Sequence, residues 1–407
     1  MKDKVKIIYL TSFVMTKFKW FIKELNYLEK NSDIEVHELC DFLFPKARKT
    51  LPLTFESKNI FKFKNFSDWK KNILRSKKKC ISEGDKLVIL TELSQYPAQG
   101  YNLKYLMVNR FLKQTKLDYY EFNVNGHIPP KASSRNYFRY IKIFKYWRYI
   151  LARLNELLTR FLANMLNLKP KGIFVAGNQV KRKIMNLKKS KGIELINLST
   201  WEFSSTISKK NNSTNLFNNK YAVFVNKVGP NKKTSDEIIN NSTSPETAEK
   251  WYPSLNSFFS FLEKVFNLKI VIASHPKSNE EGHLSYLDNR VSVLNQTEEL
   301  IKGSEFVIGR NSTALGFAVI YKKPILFIHS NETKKNVSRL NEINNFSNYF
   351  KTKSVNIDDD INDKEIKSLI SFDHQLYESY MNDFLTSSSK NQNYKIILEY
   401  LNKLSFK

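Results

Sequence analysis

The sequence predicts an α/β protein of two domains, each an open, mostly parallel sheet with helices on its faces. Three observations carry this. Short β-rich apolar runs alternate with segments of helical spacing along the chain. The run KLVILT at Lys86–Thr91 is almost continuously apolar, as expected of a strand buried on both faces. A polar stretch without periodicity, KKNNSTNLFNN at 209–219, divides the alternation into two series. The 407 residues allow two or three domains at about 150 residues each.

In the first series, 5–10 reads as a strand, 18–28 as a helix and 34–39 as a second strand. After KLVILT, 103–116 has helical spacing and 119–124 is again β-rich. GIFVA at Gly172–Ala176 is followed by Gly177-Asn178 and a Lys-rich helix, then a strand at 193–198. In the second series, 221–225 is a strand, 229–249 a polar loop and 252–266 a helix whose aromatic stripe should face a core. Strands at 268–273, 305–308 and 324–328 alternate with helices from 297 to 303 and from 313 to 321. A last helix spans 391–404. The expected domains are 1–208, 220–375 and a helical segment 376–407.

Composition excludes several classes. With 41% hydrophobic residues, 30 Phe and 20 Tyr, the chain is too apolar for disorder. Eleven Gly argue against glycine-rich phosphate loops, and Cys40 and Cys80 alone form no disulfide scaffold or zinc site. Reduced thiols suit a cytoplasmic setting. The N-terminus lacks a signal-peptide pattern, and no run of eighteen apolar residues exists to cross a membrane.

Sixty-six Lys and Arg against 39 Asp and Glu leave +27. The cations are spread along the chain and no nucleic-acid-binding signature accompanies them, so no nucleic-acid partner is expected. One segment is concentrated. Residues 135–165, RNYFRYIKIFKYWRYILARLNELLTRFLANM, place Arg139, Lys142, Lys145, Arg148, Arg153 and Arg160 among aromatic and aliphatic residues, with Glu156 the lone acid. The pattern is that of a basic aromatic helix on an anionic membrane surface, or of a packed helix with a cationic outer face. The membrane reading implies a protein peripheral at the inner face of the inner membrane.

Two places carry chemistry. The strand at 268–273 runs into Ser274-His275-Pro276-Lys277, and in open α/β sheets ligands sit beyond the carboxyl ends of strands. A His there can bond a phosphate or protonate a leaving group. The strand at 305–308 runs through Gly309-Arg310-Asn311-Ser312-Thr313 into a helix, where hydroxyls and backbone N–H groups attract an anion. The alternative there is a plain N-cap. Glu298 and Glu299 open a helix and would meet a ribose or complement the helix dipole.

The stretch from 221 to 328, with YAVFV, KIVIASHPKS and SEFVIGRNSTALGFAVIYKKPILFI, resembles bacterial surface-polysaccharide glycosyltransferases of the GT-B type, two Rossmann-like domains facing a central cleft. The His-Pro and Ser-Ser/Thr pair is similar to that of bacterial sialyltransferases, polysialyltransferases and capsule Kdo transferases. The resemblance implies that His275 and Ser312-Thr313 bind the phosphate of a CMP-activated nonulosonate or Kdo, with His275 assisting its departure. It covers about a quarter of the chain. Members of these families often carry an acid soon after the YAVFV strand, where this chain has Asn226-Lys227.

Transfer to a glycan, or lipid-linked glycan, acceptor requires a base. Glu92, directly after KLVILT, and Glu202, after the strand at 193–198, are the candidates at strand ends. His37, His127, His283 and His329 show no ligand spacing and no Asp-x-Asp pair ends a strand, so no catalytic metal or other cofactor is expected. A UDP-sugar-dependent transferase or epimerase, and a noncatalytic glycan- or nucleic-acid-binding protein, are the alternatives.

Overall fold

A computed structural model describes residues 5–48, 54–93, 103–124, 154, 157–159, 161–163, 165–186, 192–208, 216–225, 230, 246–274, 285–387 and 391–405. The chain forms two compact units. The first holds seven strands: β1 (Val5–Thr11), β2 (Asp33–Glu38), β3 (Ile60–Lys62), β4 (Lys86–Thr91), β5 (Asp118–Asn123), β6 (Gly172–Ala176) and β7 (Glu194–Leu198). They lie in the order β3-β2-β1-β4-β5-β6-β7, every pair parallel. Side chains alternate between faces. Ile7, Tyr9, Val88 and Leu90 enter one core, and Ile8, Leu10 and Ile89 enter the other, against Trp69, Ile73 and Phe111. The order reverses between β1 and β4.

The second unit holds β8 (Tyr221–Val225), β9 (Lys269–Ser274), β10 (Ser292–Leu294), β11 (Val307–Gly309), β12 (Ile325–His329) and β13 (Val355–Asn356). Their order is β10-β9-β8-β11-β12-β13, again parallel throughout. The reversal falls between β8 and β11. Helix Ala248–Phe266 covers one face with Trp251, Leu255, Phe258, Phe259 and Leu262 buried, as the aromatic stripe predicts. Pro253 sits in its second turn, where it removes one i→i−4 hydrogen bond.

Several expectations are revised. The helix expected over 18–28 is two, Lys17–Ile22 and Leu25–Asn31, because Glu24 adopts a left-handed backbone (φ 56°). The helix expected over 313–321 is shorter, Leu315–Ile320, with Ser312 and Thr313 in the turn before it. The helix Phe66–Glu83, capped by Asn65 and ended by Gly84 at φ 74°, was not expected at all. The segment 376–407 is not one separate piece. Residues through Leu385 belong to the second unit, and from Thr386 the chain rejoins the first.

That return is clasped by Asn393. Its Oδ1 accepts the Ser199 N–H at 2.9 Å, its Nδ2 donates to the Ser199 carbonyl at 2.8 Å, and its own N–H donates to Ser204 Oγ. Beyond it, helix Asn393–Ser405 buries Ile397 and Leu401 in the core of the first sheet. Replacing Asn393 by Ala leaves both backbone groups of Ser199 unpaired in a buried site. We expect Asn393→Ala to lower stability by about 2–4 kcal/mol, read as an earlier urea transition of the first unit. An unchanged midpoint would show that the helix is held by its apolar face alone.

Candidate functional site

In doubly wound sheets, ligands sit beyond the carboxyl ends of strands where the order reverses. In the second unit this is the end of β8, flanked by β9 and β11. β11 ends at Gly309, where a Cβ would meet Leu315 Cδ2 at 2.7 Å. The missing side chain therefore lets Leu315 close the turn that follows the strand. Ser312 Oγ accepts the Ala314 N–H at 3.3 Å, and Thr313 is exposed. Asn311 Nδ2 donates to Glu342 Oε2 at 2.7 Å.

Arg310 does not present its charge at the rim. It is 7% exposed, donates from Nη1 to Glu246 Oε1 at 2.9 Å, and lies over the Trp251 ring at 4.5 Å. Glu246 is also reached by Thr333 Oγ1 at 2.8 Å and by Arg339 Nη1 at 3.5 Å. Thr333 and Ser330 form a capping box at the end of β12. A single buried carboxylate thus ties the ends of β11 and β12 together, and Arg310 holds the Asn311–Ser312–Thr313 turn in place. Glu246, Trp251 and Arg339 were not identifiable from sequence. Glu246 lies in a polar stretch with no periodicity, and Trp251 reads simply as core.

Beside this network a hollow of about 430 Å³ is lined by Trp251, Ser330, Asn331, Glu332, Lys335 and Asp358, among others. Its volume is in the range of small-molecule sites. Glu298 is buried and accepts from Tyr321 Oη at 2.7 Å, which ties helix Thr297–Gly303 to the residue following helix Leu315–Ile320. Glu299 is half-buried beside it. His275, Pro276 and Lys277 lie outside the described residues. The residue before them, Ser274, ends β9 and bonds Ser292 Oγ of β10. β9 and β11 are separated by β8, so the two motifs stand two strand spacings apart, about 10 Å at the backbone.

In the first unit the reversal point holds Glu92. Its Oε1 accepts from Tyr9 Oη at 2.7 Å and from Lys23 Nζ, and its Oε2 accepts from Thr11 Oγ1 at 3.0 Å. Burial pushes the Glu92 carboxyl up, but the Lys23 ammonium and the Tyr9 hydroxyl outweigh it and hold the group below its ordinary value. Glu92 is therefore an ionised, fully engaged carboxylate. Glu202 is in the first turn of helix Trp201–Ser208, after β7. Burial raises its carboxyl, offset in part by its own backbone N–H. β4 and β7 are three strands apart, roughly 14 Å. The helix of Glu202 nevertheless packs on helix Lys17–Ile22, and its Ser204 donates to Glu24, next to Lys23.

No known protein family matches the chain, and no curated protein is similar enough in sequence to be matched. Solved structures do match over nearly the whole length. UGT2 of Phytolacca americana, complexed with UDP-2-fluoro-glucose and pterostilbene, has a TM-score of 0.51 at 10% identity, covering 99% of both chains. The wall teichoic acid polymerase TagF has a TM-score of 0.50 at 9% identity, covering 99% of this chain and 88% of its own. The UDP-GlcNAc 2-epimerase of Methanocaldococcus jannaschii, at 12% identity, covers 98% and 99% with a TM-score of 0.47. The fold is GT-B, two Rossmann-like β/α domains.

The Lys23–Glu92 pair has a definite pH signature. Glu92 is depressed when folded, so the pair contributes in full above the ordinary carboxylate value of 4.5 and is lost as pH falls through the lowered folded value. In Lys23→Met the pull of the ammonium is gone and burial raises Glu92. We expect a loss of about 3 kcal/mol at pH 7. The deficit should shrink as pH falls from the raised value of Glu92 in the variant through its lowered value in the parent, below which the carboxyl is protonated in both proteins. Denaturation from pH 3 to 8 tests it, and a deficit independent of pH would place the cost in lost packing instead.

Proposed function

We propose that this protein is a nucleotide-sugar-dependent glycosyltransferase of bacterial surface-polysaccharide synthesis. The donor we assign is a CMP-activated nonulosonate or Kdo, and the acceptor is a glycan. The observation that carries the reading is the end of β8. There a Rossmann sheet reverses its order, with Ser274-His275 leaving β9 on one side and Arg310–Thr313 leaving β11 on the other. Strand ends about 10 Å apart are close enough for residues following both to reach one phosphate. The CMP assignment rests on the resemblance of those two motifs. The fold supports the broader class, since one protein that shares it, UGT2, is complexed with UDP-2-fluoro-glucose and another is a wall teichoic acid polymerase.

In the proposed transfer an acceptor hydroxyl gives its proton to a carboxylate and its oxygen forms a bond to the anomeric carbon. The bond from that carbon to the phosphate oxygen breaks, and the nucleotide leaves with the electron pair. His275 bonds or protonates the departing phosphate. We assign the proton-accepting role to Glu202 ahead of Glu92. Burial makes Glu202 the more basic of the two, whereas the oxygens of Glu92 are occupied.

Titration calorimetry with CMP and with UDP tests the donor. We expect CMP to bind, with His275→Ala and the Ser312→Ala/Thr313→Ala pair each losing about 1.5–3 kcal/mol. Preference for UDP would move the protein to a UDP-sugar transferase or epimerase, and no binding to either would overturn the reading. Glu202→Gln should keep donor affinity and lose turnover by about 100-fold or more. Near-normal turnover in that variant would return Glu92 to the role, and Glu92→Gln would then show the loss.

A further inference from the structure

The helical residues 154, 157–159, 161–163 and 165 are apolar on two faces. One face is packed. Thr159 and Ala163 are buried, and Ala163 joins Leu168 and Leu106 of helix Leu103–Gln114, with Leu162 and Leu166 against them. Lys113 of that helix donates to the Leu166 carbonyl at 2.6 Å, so the two segments run side by side. The other face is open. Leu154, Leu157, Leu158, Phe161 and Met165 are 49–67% exposed, and Leu103 and Met107 of the neighbouring helix are 43% and 45% exposed. Positions i, i+3, i+4, i+7 and i+11 fall on one stripe. Single exposed apolar residues are ordinary, but a contiguous row is the mark of an interaction surface.

We propose that this stripe docks on an anionic lipid surface, its side chains entering the boundary between headgroups and acyl chains. The occupant follows from charge. Residues 135–153, which lead directly into Leu154, hold six Lys and Arg, no Asp or Glu, and seven Tyr, Trp and Phe. They lie outside the described residues and adjoin the stripe in sequence. On the described side, Arg110 and Lys113 are exposed on the helix that carries Met107. A second copy of this chain would set +27 against +27, with the same cation-rich approach on both sides. An anionic bilayer turns that repulsion into attraction, about 1 kcal/mol for each cation near the surface. Rings sit at the headgroup level, and Lys and Arg stems reach to phosphate. The inference does not depend on the transferase reading, because vesicle binding and donor binding are measured separately.

The test is co-sedimentation of the full chain with phosphatidylcholine vesicles, with and without phosphatidylglycerol. We expect binding to the anionic vesicles at low salt and loss of most of it at 1 M, where the Debye length falls to about 3 Å. Leu157→Gln/Phe161→Gln/Met165→Gln should reduce affinity at least about 10-fold without changing the thermal unfolding, since these side chains are exposed. Leu154→Gln/Leu158→Gln on the same stripe should act alike if the triple variant folds poorly. Changing Arg139, Lys142, Lys145 and Arg148 together to Gln should remove the preference for anionic lipid. Equal binding to both vesicles, no binding at low salt, or wild-type binding by both stripe variants would overturn the proposal. So would a dimer in sedimentation velocity that the stripe variants convert to monomer, because the face would then be an interface between copies.

Discussion

The first unit depends on a break in one helix. A straight helix from 17 to 31 would send Lys23 and Glu24 outward about 100° apart, with no means of reaching two different structures. The left-handed turn at Glu24 aims them separately. Lys23 reaches the carboxylate at the end of β4, while Glu24 accepts Ser204 Oγ and the Tyr394 N–H. One residue fixes the strand end at the reversal point, and the next fixes the helix after β7 and the returning C-terminal helix. A left-handed Glu costs about 1–3 kcal/mol, which the two hydrogen bonds accepted by its own carboxylate offset. The conformation therefore persists because three distant pieces of chain over-determine it.

The second unit uses the same logic with the charges exchanged. There the shared group is the carboxylate of Glu246, and the cations come to it from Arg310 and Arg339. Buried ion pairs contribute little net stability because both partners are desolvated, but removing one partner is costly. Their value lies in geometry. Arg310 is stacked on Trp251 and bonded to Glu246, so the three residues that follow it emerge from β11 in one fixed direction. A phosphate ligand at Ser312 and Thr313 would meet a prearranged turn. Arg310 supports that turn from beneath, as a positioning residue with its charge already spent on a neighbour.

Much of the fold was legible because parallel strands buried on both faces are written as continuous apolar runs. KLVILT, GIFVA and YAVFV needed no other evidence, and each is an interior strand of its sheet. What escaped has physical reasons. β3, β10 and β13 are edge strands of two or three residues, too short to show alternation. Helix Phe66–Glu83 buries a row only one residue wide, Trp69, Ile73, Ser76 and Cys80, and its Lys-rich remainder hides the period. The break at Glu24 was illegible in principle. Nothing local requires it, and its partners Ser204 and Tyr394 are far away in sequence. The site was legible where strand ends carry it, at Glu92 and Arg310–Thr313. It was not legible where Lys23, Glu246 and Arg339 complete it, because Lys23 and Glu246 lie in stretches read as helix and loop and Arg339 in one to which no element was assigned.

The two carboxylates proposed for proton transfer illustrate why a strand-end acid is an ambiguous signal. Glu92 directly follows a buried central strand, and Glu202 follows the edge strand β7 after three further residues. Their surroundings drive them apart. Glu92 meets a lysine, a tyrosine and a threonine, so its charged form is stabilised and its lone pairs are directed at fixed donors. To take a proton it would have to give up part of that network, and the ammonium of Lys23 would oppose the change. Glu202 meets burial and its own backbone N–H, so its charged form is less favoured than that of Glu92 and it takes up a proton more readily. A base for an acceptor hydroxyl needs an unoccupied lone pair and an affinity for protons raised toward the working pH. Of the two, the environment of Glu202 supplies both, and that of Glu92 supplies a rigid floor beneath the reversal point of the sheet.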